Sequence, residues 1–207
     1  MSNKVIQIKS PCEKAAISSL KIGDVVSISG TILTGRDAFH KFAFKTYIKE
    51  NKFSDEYNEL KNLLNRAFLY HCGPVMKKHT DNWQFIAGGP TTSIREEPYE
   101  SDIISHFNLN GVIGKGGMGE KTSLALKENT CVYLHATGGA ATLTADKIKK
   151  VKNVYFLHEL GVPEAVWVLE VENFLCTVTM DSHGNSLHKK IKNSSGKIFD
   201  NLIKGLK

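Results

Sequence analysis

The sequence lacks the short cysteine pairs that bind zinc or an iron–sulfur cluster within one loop. No Cys-x-x-Cys motif occurs, and the four cysteines stand far apart along the chain: Cys12, Cys72, Cys131 and Cys176. A local metal site built on thiolates is therefore not indicated. We expect each cysteine to be a small buried hydrophobic residue, and we expect no disulfide framework because no secretion signal is evident.

Long apolar runs are also missing. No run approaches the roughly 18–20 residues that a membrane span needs, and residues 1–14 are polar and do not resemble a signal peptide. The 207 residues are 41% hydrophobic and 23% charged, which is typical of globular proteins and sufficient for one domain with a core. We expect a cytoplasmic protein with no membrane contact.

Positive charge is scarce outside the C-terminal segment. Six lysines and one aspartate in residues 189–207 account for +5 of the formal net charge of +6, so the rest of the chain is nearly neutral. A nucleic-acid partner is not expected, because such proteins spread basic residues over a binding surface. We interpret residues 1–188 as one domain and residues 189–207 as a Lys-rich C-terminal helix or tail with a solvated face.

Strands and helices alternate along the chain with short loops, which predicts a layered α/β domain. Strands are expected at 25–32, 68–71, 83–87, 111–113 and 131–135, with a turn between the second and third and helices between the others. The motif Ser10-Pro11-Cys12-Glu13 predicts a capping box that opens the first helix. Toward the end of the chain the pattern predicts a helix at 145–150 and separate strands at 165–170 and 174–180.

Three loops rich in glycine or hydroxyl residues each lie between a predicted strand and a predicted helix. Each contains one cation: Arg36, Arg95 or Lys115. Such loops bind anions in α/β folds because the helix N-terminus offers unpaired N–H groups. Convergence of the three would form a pocket for a doubly charged anion, and arginine suits a carboxylate. The alternative is surface ion pairs, Arg36 with Asp37 or a neighbour and Arg95 with Glu96 or Glu97.

The third loop also matches the dinucleotide fingerprint, as Gly114-x-Gly116-x-x-Gly119. The fingerprint requires an acidic residue about 20 positions later, and the first carboxylate after residue 136 is Asp146. A dinucleotide-binding oxidoreductase therefore remains a third hypothesis, behind an anion-binding enzyme and a non-catalytic binding domain. His183 and His188 are expected to be solvated residues near a turn.

Taken together, these loops resemble one family. The chain is similar to the β subunit of the iron–sulfur hydro-lyases, the class I fumarase and L(+)-tartrate dehydratase family, over roughly residues 20–188. The resemblance rests on these motifs: Ile28-Ser29-Gly30-Thr31-Ile32, Thr34-Gly35-Arg36-Asp37-Ala38, Gly89-Pro90-Thr91-Thr92-Ser93-x-Arg95, Gly114-Lys115-Gly116-Gly117-Met118-Gly119, Pro163-Glu164 and Asp181-Ser182-His183-Gly184-Asn185.

The resemblance implies a three-layer β/β/α swivelling domain that pairs with an α subunit in a hetero-oligomer. In this family the partner's cysteines hold a four-iron, four-sulfur cluster, one iron of which acts as Lewis acid on the substrate. The lack of a cysteine motif in this chain would then be expected, because the chain supplies only part of the active site.

The resemblance also implies roles for individual residues. Arg36, Arg95 and Lys115 would bind a small dicarboxylate, and the Thr91 hydroxyl would take part in proton transfer with help from a stronger base. Asp37 is a second catalytic candidate, with the N-cap of the next helix as its structural alternative. The sequence departs from the family pattern at Glu96-Glu97, and we expect Glu96 to point away from the site because a dicarboxylate disfavours further negative charge.

The sequence indicates the type of reaction more clearly than it indicates the substrate. Gly35 and the loop Thr137-Gly138-Gly139-Ala140 look more like fumarases than like tartrate dehydratases. The expected function is thus the β subunit of a fumarate hydratase, and the alternatives are the β subunit of L(+)-tartrate dehydratase or a non-catalytic anion-binding domain.

Overall fold

A computed structural model describes residues 5–80 and 82–204. Its strands are β1 (Ile6–Ser10), β2 (Val25–Thr34), β3 (Phe68–Tyr70), β4 (Val75–Lys78), β5 (Trp83–Ala87), β6 (Gly111–Gly114), β7 (Val132–His135), β8 (Ile148–Tyr155) and β9 (Val166–Met180). Its α-helices are α1 (Lys14–Ser18), α2 (Asp37–Ala43), α3 (Asp55–Leu64), α4 (Glu100–Phe107), α5 (Glu120–Glu128), α6 (Ala141–Ala145), α7 (Leu157–Leu160) and α8 (Leu187–Lys204). A π-helical segment, Phe44–Lys49, extends α2, and a 3-10 turn covers Ser93–Glu96.

Seven strands form one sheet in the order β1-β2-β3-β6-β7-β9-β8. Strands β1, β2, β3, β6 and β7 are parallel neighbours, and β9 runs antiparallel to β7 and β8. Strand β9 also pairs with β2, so the sheet curls back on itself. Strands β4 and β5 form a separate hairpin. Because the parallel strands are joined through helices, their carboxyl ends lie at one edge of the sheet.

Two hydrophobic cores lie on opposite faces of this curved sheet. One packs the sheet against helices and contains Phe39, Leu60 and Phe107. The other is enclosed by the curled sheet and contains Ile28 and Trp167. Two layers of strand and one of helix follow from this arrangement, and the α/β fold class that the alternating pattern predicts is confirmed.

The predicted capping box at the start of the chain is wrong. Ser10 ends β1 and its hydroxyl donates to the Thr31 carbonyl, while the following peptide bond to Pro11 is cis. Helix α1 begins at Lys14, and Glu13 occupies the N-cap position without a side-chain hydrogen bond. Because β1 pairs with β2 as far as Ser10, the backbone N–H and C=O groups of this segment are bonded in the sheet and not in a helix.

Two further predictions near the C-terminus are wrong. The second half of the segment predicted as a helix at 145–150 belongs to β8, and the short α6 ends at Ala145. The two strands predicted at 165–170 and 174–180 are one strand, β9, with Asn173 in the left-handed region at φ 54°. Pairing with β2 on both sides of this irregularity keeps the strand continuous.

The Lys-rich C-terminal segment is helical. Helix α8 extends to Lys204, and its side chains Ile198, Phe199 and Leu202 are exposed. The last residues of the expected tail, 205–207, lie outside the described residues. Within the described part of the chain, no helix has the length and apolar character to cross a membrane.

Strand β9 offers a matched test of the enclosed core. Leu169 is fully buried and pairs with Ile32 and Val151, whereas Leu175 on the same strand is 55% exposed. We expect Leu169→Ala to lower the free energy of unfolding by about 2–5 kcal/mol, because it leaves a cavity. Leu175→Ala should cost less than about 1 kcal/mol. Urea unfolding of both variants checks this, and equal losses would contradict a core on that face.

Candidate functional site

The loops that follow β2, β3 and β6 lie side by side at the carboxyl edge of the sheet. Strand β2 ends at Thr34 beside the end of β3 at Tyr70, and β3 ends beside Ile113 of β6. The loop that carries Thr91 lies against the end of β3, because the Thr91 N–H donates to the carbonyl of His71 at 2.7 Å. This edge is where α/β sheets bind ligands.

Direct contacts join the three cationic loops. The first and second meet where Arg95 Nη2 lies 2.8 Å from Asp37 Oδ2. The second and third meet in a bridge between Thr92 and Lys115, and the Ser93 N–H donates to the Lys115 carbonyl at 3.1 Å. The structure therefore brings onto adjoining loops the five residues predicted from the sequence: Arg36, Asp37, Thr91, Arg95 and Lys115.

Arg36 is held by Glu164, which sequence reasoning assigned no role. Its Nε lies 2.5 Å from Glu164 Oε1, and the other carboxylate oxygen accepts the Ala38 N–H at 2.9 Å. The alternative pair of Arg36 with Asp37 is not formed. The guanidinium also lies over Gly73, where a Cβ atom would come within 2.5 Å of Nη1. The only sequence signal for Glu164 was its place in the Pro163-Glu164 motif.

Arg95 and Asp37 form a pair that is accessible to solvent. Their side chains are 51% and 44% exposed, so water weakens the interaction and a ligand could displace either partner. The alternative pairing of Arg95 with Glu96 or Glu97 is not formed. Asp37 is the first residue of α2, and the N-cap position belongs to Arg36 without a side-chain hydrogen bond, so the capping alternative for Asp37 is wrong too.

Thr91 and Lys115 keep free polar groups at this edge. The Thr91 Oγ1 atom is buried and has no hydrogen-bond partner among residues 5–80 and 82–204. Lys115 is half-buried and forms no ion pair with any described residue. Its side chain passes Gly138, whose added Cβ would lie 3.8 Å from Lys115 Cδ. The Lys115 ammonium group thus lacks an ion-pair partner among the described residues, and the Thr91 hydroxyl is unpaired but shielded from solvent.

A buried carboxylate lies beneath these loops. Glu100, the first residue of α4, is fully buried, and its Oε2 atom lies 2.9 Å from His40 Nε2 and 3.0 Å from His71 Nε2. Both imidazoles are fully buried as well. Among the described residues, these three form the one group of His, Cys, Asp or Glu side chains close enough to share a metal ion.

The charges in this cluster follow from mutual stabilisation. Burial lowers the pKa of His40, but attraction to Glu100 and a hydrogen bond with it outweigh burial and raise the pKa to about 9. Burial likewise opposes ionisation of Glu100, yet the two histidines lower its pKa to about 2. Burial lowers the pKa of His71 despite Glu100. At neutral pH the cluster holds an imidazolium, a carboxylate and a neutral imidazole.

Glu96 points into the interior of the chain, beneath the loops. Its side chain is fully buried, with Oε2 3.8 Å from His40 Nδ1. Burial and, to a lesser degree, Asp37 raise the pKa of Glu96 to about 8 against the attraction of His40. Glu96 is therefore mostly protonated at neutral pH, which removes the extra negative charge that made its position surprising.

The glycines of the third loop are explained by packing within the chain. A Cβ at Gly119 would lie 2.5 Å from the Glu97 carboxylate, and one at Gly117 would lie 2.5 Å from the ring of His188. Glu97 accepts the Gly119 N–H at 2.7 Å and the Thr122 hydroxyl at 2.7 Å. A side chain of this protein thus occupies the start of α5, where a dinucleotide would place its pyrophosphate.

His188 and the cysteines also have structural surroundings. His188 was expected to be solvated, but it is half-buried against Gly117, and burial lowers its pKa. The cysteines are free, and three are buried: Cys72, Cys131 and Cys176. No group of three cysteines comes together in the described ranges, so these residues do not fit an iron–sulfur cluster.

Comparison with known proteins identifies the family. A family model described as the fumarase C-terminus matches residues 1–191. A putative class I fumarate hydratase from Geobacillus stearothermophilus is 51% identical over 193 residues, which are 93% of this chain and 35% of that protein. The chain thus spans about a third of the length of that relative.

Two other relatives are similar in length to this chain. A putative L(+)-tartrate dehydratase subunit beta from Methanocaldococcus jannaschii is 42% identical over 91% of this chain and 92% of its own. The L(+)-tartrate dehydratase subunit beta of Escherichia coli K12 is 32% identical over 87% of this chain and 85% of its own. This chain belongs to the fumarase C-terminus family, as the resemblance implied.

Protonation of Glu96 predicts a dependence of stability on pH. Between the ordinary carboxyl pKa of 4.5 and about 8, the folded chain keeps a proton that the unfolded chain has lost. The free energy of unfolding should then fall as pH rises through this window, by up to about 1.4 kcal/mol per pH unit from this group. Glu96→Gln removes the titration, so its stability relative to the parent should increase from pH 5 to pH 8.

Urea unfolding at several pH values measures this effect. Glu128→Gln, at the exposed end of α5, is the matched control and should follow the parent chain. Parallel curves for Glu96→Gln and the parent would show that Glu96 is ionised in the folded chain.

Proposed function

We propose that this chain is the β subunit of a two-chain hydro-lyase that interconverts fumarate and L-malate. The observation that carries the proposal is the meeting of three cationic loops at one edge of the sheet, through the Arg95–Asp37 and Thr92–Lys115 contacts. The names of the relatives support the reaction class, since they are fumarate and tartrate hydro-lyases.

The cations would bind the two carboxylates of the substrate. Arg95 can exchange the exposed Asp37 carboxylate for a substrate carboxylate, which its planar fork matches with two hydrogen bonds. Arg36 is oriented by Glu164, and Lys115 adds a point charge from the neighbouring loop. A doubly charged acid would bind more strongly than a singly charged one, because separate loops contact each end.

Thr91 and Asp37 are the proposed catalytic groups of this chain. The buried Thr91 hydroxyl has no hydrogen-bond partner among the described residues, so it could take part in proton transfer at the substrate carbon once the loops admit a substrate. A threonine hydroxyl is a weak base, and a neighbouring base must activate it. Once Arg95 binds substrate, the Asp37 carboxylate is released beside it, or a base of the partner subunit serves this purpose.

The metal chemistry belongs to a partner in this proposal. Because the cysteines of this chain do not gather, a four-iron, four-sulfur cluster would be held by an α subunit, and the active site would form between the two chains in a cytoplasmic hetero-oligomer. The binding half of the site is what this chain contributes.

Fumarate and malate are the proposed substrates. The 51% identical relative is a putative fumarate hydratase, whereas the relatives named as tartrate dehydratase subunits are 42% and 32% identical. L(+)-tartrate is the second candidate, because a chain of similar length with that name matches over nearly its whole length.

The test is anaerobic co-expression with a cluster-bearing α chain, followed by an optical assay of fumarate. We expect hydration of fumarate, and we expect Arg95→Ala to lower kcat/KM by about 10- to 100-fold, since a hydrogen bond between charged groups contributes about 1.5–3 kcal/mol. Lys127→Ala, an exposed cation on α5, is the control and should leave activity unchanged.

The chain purified alone should be colourless and inactive, and a brown preparation would contradict the assignment of the cluster to the partner. Activity on L(+)-tartrate but not fumarate would favour the second candidate. Absence of activity with every hydroxydicarboxylate tested would favour a non-catalytic anion-binding domain.

A further inference from the structure

The buried Glu100 cluster connects to each of the three loops of the site through hydrogen bonds. His40 Nδ1 lies 2.9 Å from the Arg36 carbonyl, so a protonated His40 donates to the first loop and to Glu100 at once. The donation to the backbone carbonyl of Arg36 fixes the position of Arg36 in the first loop. Besides Glu100, the carboxyl of Glu96 lies 3.8 Å from Nδ1 of the same ring.

The second imidazole connects the cluster to the loop of Thr91. The His71 carbonyl accepts the Thr91 N–H at 2.7 Å, and His71 Nδ1 lies 2.9 Å from Ser93 Oγ. The Tyr133 hydroxyl donates to the same Ser93 oxygen at 2.9 Å, so the Ser93 proton is free to point at His71 Nδ1. A neutral His71 then has its proton on Nε2, which lies 3.0 Å from Glu100 Oε2 as a close contact without hydrogen-bond geometry.

The third loop joins through Ser93. Its backbone N–H donates to the Lys115 carbonyl at 3.1 Å, while its side chain contacts His71. A Cβ at Gly114 would lie 1.8 Å from Ser93 Oγ, so this serine sits directly against the end of β6. Glu100 Oε2 therefore contacts two imidazoles that connect it to the loops. His40 contacts the loop of Arg36, and His71 contacts the loop of Thr91, which in turn contacts the loop of Lys115.

We infer that Glu100 is a positioning residue that braces the three loops of the proposed dicarboxylate site through His40 and His71. This inference rests on the proposed function for its consequence in catalysis, but the brace itself is a property of this chain alone. The contact of 2.9 Å between His40 Nε2 and Glu100 Oε2 is an ordinary hydrogen-bond length, so a proton occupies that position.

The first arm of the test measures the loops directly. Glu100→Leu fills the space without a hydrogen-bond acceptor, and Glu100→Gln keeps the shape and part of the hydrogen bonding. In the chain alone, Glu100→Leu should speed amide exchange of Thr91 and Ser93 by tenfold or more, with a smaller effect for Glu100→Gln. The Asn185 amide, which donates to Asp181 at 2.9 Å elsewhere, should keep its rate relative to global unfolding.

The second arm measures activity of the two-chain complex. Displaced cations should raise KM for malate, and a displaced Thr91 should lower kcat, with Glu100→Gln recovering part of both. A variant that merely unfolds more often would lower the active fraction and leave KM unchanged. Asp102→Asn, an exposed carboxylate on the same helix, is the matched control and should change neither constant.

The outcomes separate this inference from the proposed function. Unchanged exchange at Thr91 and Ser93 in both Glu100 variants would overturn the brace even if the complex is active. Faster exchange in a complex that has no hydro-lyase activity would support the brace and reject the function. Stoichiometric zinc or iron in the parent chain that is lost in Glu100→Gln would overturn the brace in favour of a metal site.

Discussion

The arrangement of the candidate site depends on the buried carboxylate of Glu100. Glu100 is fully buried at the start of α4, and an unpaired charge there would cost several kcal/mol. It is tolerated because two imidazoles face the same oxygen, one of them protonated. Attraction between opposite charges therefore stabilises the cluster. The two histidines of the cluster also form hydrogen bonds with the loops of the candidate site.

The site itself combines rigid and exchangeable ion pairs. Arg36 and Glu164 are largely shielded from solvent, and Glu164 also accepts a backbone N–H at the start of α2, so this pair fixes an orientation. Arg95 and Asp37 are half-exposed, and their contact can be replaced by a ligand at little cost. One fixed pair and one exchangeable pair suit a pocket of this kind. The fixed pair keeps the shape of the pocket before the substrate binds, and the exchangeable pair lets Arg95 bind the substrate.

Part of this could be predicted from the sequence. Alternation of strands and helices indicated the α/β class, and glycine-rich loops with one cation each indicated the edge at which the residues meet. Arg36 and Arg95 were recognised, but their partners were not, because Glu164 lies far along the chain and Asp37 reaches across to a separate loop. Nothing local distinguishes these carboxylates from solvated ones.

Burial of charge explains most of what the sequence did not predict. Glu96, Glu97 and Glu100 look alike in a polar stretch, yet one is mostly protonated, one caps α5, and one carries the central charge. Strands β1 and β8 were missed for a related reason, since their identity comes from pairing with β2 and β9. Tertiary contacts decide such segments, and local propensity does not.

Nuclear magnetic resonance of the histidine side chains in the isolated chain, followed from pH 5 to pH 10, tests the central charge most directly. A buried Glu100 anion predicts that His40 carries protons on both ring nitrogens at neutral pH and loses one near pH 9, while His71 is neutral at pH 7. A neutral His40 at pH 7 would show that Glu100 does not carry the charge on which the three loops depend.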